Sequence, residues 1–157
     1  MSRELPHRAR PINTAVLLRE AFVALNDQML TRLADFGHDA VRPAHGAVFQ
    51  YLDDEGTTVA RLAQRAQMTK QAMAELVAHL EKHGYLTRIP DPDDGRAKLV
   101  LPTERGREVF AIAQELVPQI EAELDSLLGK HRAEALRADL DRIREVPPRE
   151  RDGTMRE

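Results

Sequence analysis

Residues 58–101 read TVARLAQRAQMTKQAMAELVAHLEKHGYLTRIPDPDDGRAKLVL, and two changes of rhythm inside that stretch decide the fold. Thr58 can cap a short helix through VARLAQRA, with Val59, Leu62 and Ala63 on its buried side. Gln67 and Met68 form the turn, and Thr69 opens a second helix, KQAMAELVAHLEKH, closed by Gly84. Its apolar positions Met73, Leu76, Val77 and Leu80 fall on one helical face. Two short capped helices joined by a tight turn make a helix-turn-helix. After Gly84 the period shortens: YLTRI and AKLVL have strand composition, and DPDDGR between them is turn chemistry, so a two-stranded hairpin follows. Helix-turn-helix followed by hairpin is a winged helix.

Outward from this segment, the chain is helical on both sides. Leu18, Phe22, Leu25, Met29, Leu33 and Phe36 form a stripe from about Asn13 to Gly37, and Val16, Val23 and Leu30 widen it beyond what one packing contact uses. A short helix begins at Pro43, with Val48, Phe49 and Leu52 inward. Downstream, Thr103 caps a long helix whose Val109, Ala113, Leu116, Ile120, Leu124 and Leu127 form a coiled-coil-like seam. Pro118 within it should kink the helix or break its ladder. A last helix over 132–145 carries Leu136, Leu140 and Ile143 and stops before Pro147 and Pro148.

The expected organisation is a flexible arm over 1–12, a first dimerisation helix over 13–42, a winged helix-turn-helix lobe over 43–102, dimerisation helices over 103–146 and a disordered tail over 147–157. The fold class is mainly α with a small β-hairpin wing.

Composition agrees with this and narrows the functions. The 157 residues are 42% hydrophobic, 31% charged and 4% aromatic, a helix-favouring mixture. No apolar run is long enough to span a bilayer, and the start, MSRELPHRARPINT, lacks the apolar core of a signal peptide, so a cytoplasmic protein is expected. Zero cysteines exclude disulfides, thiolate metal sites and thiol sensing. The net charge of -3 gives no overall pull toward nucleic acid, but 61–107 is locally basic, with nine Lys or Arg against six Asp or Glu.

In a helix-turn-helix the second helix enters the major groove. With its apolar side inward, that helix presents Lys70, Gln71, Ala74, Glu75 and Ala78. Gln71 suits adenine through N6 and N7, Lys70 suits phosphate or guanine, and Thr69 marks a helix N-terminus fit for phosphate. Arg88 and Lys98 on the strands and Asp94 and Arg96 at the hairpin tip complete the candidate DNA-binding set. A solvated helix face is the plain alternative for these residues taken singly.

The hairpin carries the resemblance. Asp91, Pro92, Asp94 and Arg96, followed by a strand and then Leu101, Pro102, Thr103 and Gly106, resemble the wing signature D-P-x-D-x-R … L-T-x-x-G of the MarR (multiple-antibiotic-resistance regulator) family of winged-helix transcription factors. Pro102 departs from the usual leucine, a mild change just before the Thr103 cap. The resemblance extends over about residues 13–146. It implies a homodimer on a pseudo-palindromic operator, most simply a repressor, with terminal helices interleaved. Leu18, Val109, Leu116, Ile120, Leu124, Leu136 and Leu140 are the matching dimerisation candidates. It also implies a wing arginine, here Arg96, in the minor groove with Asp94 orienting it, and release from DNA by a small, often phenolic, molecule. At Glu75 family members often carry a basic residue. A carboxylate there either accepts from a cytosine amino group or is neutralised by a neighbour.

Other signals lead elsewhere. His79 and His83 stand four apart, as zinc ligands can, but no third ligand or HExxH pattern accompanies them, and they read as solvent-side histidines near a helix C-terminus. Asp91, Asp93 and Asp94 lack calcium-loop spacing and read as turn-formers. No nucleophile elbow, Walker loop or dinucleotide motif is present, so no enzyme, cofactor or metal is expected. The rivals to DNA binding are a winged-helix protein-interaction module and, with less behind it, a helical enzyme scaffold.

Overall fold

The computed structural model describes residues 12–146. Helix α1, Thr14–Asp35, starts where the Asn13 side chain accepts from the Val16 N–H, and the chain turns out of it through Gly37 at φ +85°. A 3₁₀ turn, Pro43–His45, leads into α2, Gly46–Tyr51. Then come α3, Val59–Arg65, and α4, Lys70–Lys82. Strands β1, Leu86–Pro90, and β2, Lys98–Pro102, pair antiparallel from Leu86 opposite Pro102 to Pro90 opposite Lys98. Helices α5, Glu104–Leu128, and α6, Lys130–Arg144, follow. The expected arm, apart from Ile12, and the expected tail lie outside the described residues.

The chain divides at Val117 and Pro118 into two compact units. At Pro118, where a kink or a local break in the hydrogen-bond ladder is expected, α5 runs on, and the missing proline N–H leaves the Gln114 carbonyl without its usual helical donor. In the second unit Arg137 of α6 donates to Glu121 and Asp125, at 2.7 and 2.8 Å, and Ala133 is fully buried.

The first unit holds one core. Val48 of α2, Leu62 of α3, Met73, Val77 and Leu80 of α4, Tyr85 and Val100 of the hairpin are fully buried, joined by Leu33 of α1 and Val109 of α5. Val109 thus packs inside this unit and is not free for the dimer seam that its heptad spacing suggested. Leu116, from the same seam, is also buried, whereas Leu18, Ile120 and Leu124 are half-buried and Leu136 and Leu140 are exposed. Among the described residues no helix is long and apolar enough to cross a membrane.

Three local devices shape the lobe. The Thr58 and Thr69 hydroxyls accept from the Arg61 and Ala72 N–H groups and start α3 and α4 where the sequence places them. Thr57 pairs with Val100 as a one-residue third strand, so the hairpin is fastened to the loop before α3. At the hairpin base the Thr103 hydroxyl donates to the Gly84 carbonyl at 2.6 Å and accepts from the Gly106 N–H. A Cβ on Gly106 would lie 2.2 Å from the Tyr85 carbonyl oxygen, so only glycine lets α5 pass the hairpin this closely.

Candidate nucleic-acid interface

The turn between α3 and α4 is closed by the Met68 N–H donating to the Ala63 carbonyl, with Gln67 in the left-handed region at φ +53°. Met73, Val77 and Leu80 face the core, which turns the other side of α4 outward. Thr69, Lys70, Gln71, Glu75 and Ala78 are exposed, and Ala74 is half-buried beside them. The outward face of α4 therefore contains the residues singled out from the sequence, aligned by the burial of the opposite stripe.

At the wing tip Asp91 accepts from the Asp93 N–H at 2.9 Å, and Asp91 and Ala97 close the loop through their backbones at 3.0 Å. The aspartates act as turn-formers. Asp94 does not reach the arginine side chain as expected: its Oδ1 accepts from the Arg96 backbone N–H at 3.1 Å. The bond that was to orient the guanidinium instead shapes the loop, because an aspartate two residues upstream satisfies a turn N–H more readily than a long flexible side chain. Arg96 and Lys98 are exposed, and among the described residues neither forms an ion pair.

Arg88 is different. Its Nε donates to Glu81 Oε2 at 3.0 Å, tying β1 to the end of α4, and it is half-buried. It sits at the wing's base, already engaged. Farther back, Arg65 donates to the Tyr51 carbonyl at 2.7 Å and to Asp53 at 2.9 Å, and its guanidinium holds the Asp53 carboxyl below the usual carboxylate range.

The histidines required the structure. His79 and His83 are not solvent-side: with buried His45 they form a column of three rings, centroids 4.7 and 4.3 Å apart and nearly parallel. His79 Nε2 meets the Ala40 carbonyl at 3.1 Å and His83 Nδ1 the His79 carbonyl at 2.8 Å, while His45 Nδ1 accepts from the Arg42 N–H at 2.9 Å. Protonating Nδ1 of His45 would break that last bond. Burial, with His79, Arg42 and His83 nearby, lowers the His45 pKa to about 4. Parallel rings point their lone pairs side by side instead of at one point, and among the described residues no cluster of three or more His, Asp or Glu is placed to hold a metal. The i, i+4 spacing of His79 and His83 was visible in sequence; the approach of His45, 34 residues upstream of His79, was not.

A cavity of about 230 Å³ opens between α1, the segment before α2, and α5, lined among others by Met29, Phe49, Phe110 and Val117 with Asn26 and Arg42. The Asn26 Nδ2 is buried and has no hydrogen-bond partner among the described residues.

Residues 41–97 match the family model described as MarR family. The chain is 28% identical over 121 residues to the transcriptional regulator HosA of Escherichia coli, covering 75% of this chain and 87% of that one. It is 30% identical over 84 residues to the transcriptional activatory protein BadR of Rhodopseudomonas palustris, covering 54% of this chain but only 47% of that one. Among solved structures, the transcriptional repressor CouR bound to a 23-mer DNA duplex superposes with a TM-score of 0.69 at 24% identity, over 85% of this chain and 93% of that one. That likeness is one of fold.

Proposed function

We propose that this chain, whose residues 41–97 match the MarR family model, is a sequence-specific, DNA-binding transcriptional regulator that grips a pseudo-palindromic operator as a homodimer in the cytoplasm and acts as a repressor. One observation carries the reading: α4 turns its apolar stripe into the core and leaves its polar stripe, Lys70, Gln71 and Glu75, exposed, on the same lobe as a wing whose Arg96 forms no ion pair among the described residues. A helix aligned in this way reads base edges, and a cation at a hairpin tip suits the negative potential of a narrow minor groove. The locally basic segment supplies phosphate contacts that the overall charge of -3 does not.

Homodimerisation is supported by apolar side chains that the single chain leaves in water: Phe22 and Val23 on α1, Leu136, Leu140 and Ile143 on α6. For the effector, the cavity lined by Phe49 and Phe110 offers an aromatic-sized apolar space in which Asn26 supplies an unsatisfied donor and Arg42 a cation. A small aromatic carboxylate fits that chemistry. It would shift the equilibrium only by preferring a spread of reading heads that mismatches the operator.

Titration of an operator and of random duplex at several salt concentrations tests the assignment. Arg96→Ala should lower affinity for all sequences and flatten the salt slope by about one unit per half-site. Gln71→Ala should leave the slope unchanged and relax preference at one base pair by roughly 1–3 kcal/mol. Wild-type protein that shows no salt-dependent binding to any duplex would point to the rival reading, a winged helix that docks on protein.

A further inference from the structure

We infer that Glu75 makes the chain select cytosine at one position in each half-site, and that it does so chiefly by rejecting the other bases; this rests on the proposed DNA-binding function. The sequence allows two fates for this carboxylate, a cytosine amino group or a neighbouring cation, and the structure favours the first. Among the described residues Glu75 forms no ion pair, and two cations of the same lobe are held elsewhere, Arg88 by Glu81 and Arg65 by Asp53 and the Tyr51 carbonyl. Ala74 and Ala78 end in methyl groups, so beyond Lys70 and Gln71 it is Glu75 that is long enough on this face to probe a base edge.

Major-groove chemistry then narrows the partner. An ionised carboxylate only accepts, and it is repelled by flanking phosphates and by the acceptors guanine O6 and N7 and thymine O4. Two bases donate there, adenine through N6 and cytosine through N4. Adenine sets its N7 acceptor beside N6, where it faces the second carboxylate oxygen; cytosine places no acceptor beside N4. Cytosine is therefore the base that Glu75 tolerates best. Glu75 follows Gln71 by one helical turn, about 6 Å along α4, so its base lies about two base-pair steps from the one that Gln71 reads.

The experiment uses full-length wild type, Glu75→Gln and Glu75→Ala. Each is run through selection from a random duplex pool, then titrated against the selected site, its single-base variants and random duplex. Wild type should prefer cytosine at one position per half-site by about 5- to 150-fold. Glu75→Gln, which both donates and accepts, should move that preference to adenine and leave every other position alone. Glu75→Ala should erase it and bind random duplex severalfold more tightly, because a repulsion has been removed. A packing role for an exposed side chain predicts neither the cytosine-to-adenine switch nor the gain on random duplex. Identical preferences in wild type and Glu75→Gln, with no gain in Glu75→Ala, would overturn the inference and leave DNA binding standing; wild type that binds no duplex would overturn DNA binding itself.

Discussion

Helices α1 and α4 carry apolar residues at the same helical spacing and use them in opposite ways. The 13-residue α4 buries Met73, Val77 and Leu80 completely, whereas the 22-residue α1 buries Leu33 and leaves Phe22 58% exposed. Met29 and Leu30, near the end of α1, pack partly against the core; the first half of the helix does not. Periodicity reports that a helix has something to cover, but it does not say which body does the covering. In α4 the lobe does so. In α1 the chain supplies cover for the last turns and leaves Phe22 and Val23 in water.

The largest expected effect lies in α4. Leu80→Ala should cost about 2–5 kcal/mol in urea unfolding, because it deletes atoms from a site with no exposure and leaves a cavity. A loss below about 1 kcal/mol would mean that α4 is not anchored as described.

The second effect comes from acid. His45, whose stack reaches α4 through His79, titrates at about 4 when folded against 6.5 in an unfolded chain, so the unfolded state takes up the proton first. Its contribution to stability is complete above pH 6.5 and is lost as pH falls toward 4, at roughly 1.4 kcal/mol per pH unit. Between pH 6.5 and 5, where carboxylates hardly titrate, unfolding free energy should drop by about 2 kcal/mol from this ring alone. Buried His38, whose pKa is lowered first by desolvation and then by Arg105, acts in the same direction. Urea midpoints that stay level from pH 7 to 5 would put His45 in contact with water and dissolve the stack.

The smallest effect on the lobe comes from α1. Phe22→Ser should change the stability of the isolated chain by no more than about 0.5 kcal/mol. The midpoint of the parent should rise with protein concentration, and in the variant that dependence should vanish as a micromolar dimer gives way to monomer in sedimentation. A variant that remains dimeric would move the interface away from the first half of α1.

Most of the lobe was legible because its signals are local. Asn13, Thr58, Thr69 and Thr103 are all within a few residues of the N–H groups that they cap, and the alternation in the hairpin is self-contained. What escaped depends on distant chain. Val109 fits a seam by spacing and a core by position; nothing in its neighbourhood in sequence separates the two. The short helix expected from Pro43 begins instead as a 3₁₀ turn, where the His45 ring accepts from the Arg42 N–H. Asp94 and Arg96 are close enough to pair, yet the backbone N–H was the nearer donor. The outward face of α4 was legible because its opposite face is a regular apolar stripe, while the engagement of Arg88 by Glu81, seven residues apart across Gly84, needed the hairpin's path.

The core described above takes one wall from Leu33 and another from Val109, and a ribosome delivers these about 75 residues apart, roughly 4 to 15 seconds at ordinary elongation rates. During that interval α4 has been made and can cap itself, yet Val48, Leu62 and Val77 still lack the wall that α5 supplies, and α5 reaches its place only where Gly106 can lie against the Tyr85 carbonyl. A nascent chain stalled in the wing therefore carries the outward face of α4 on an unfinished core. Such a fragment lacks the wall that Val109 gives the core, and it should open to proteases more readily than the finished lobe.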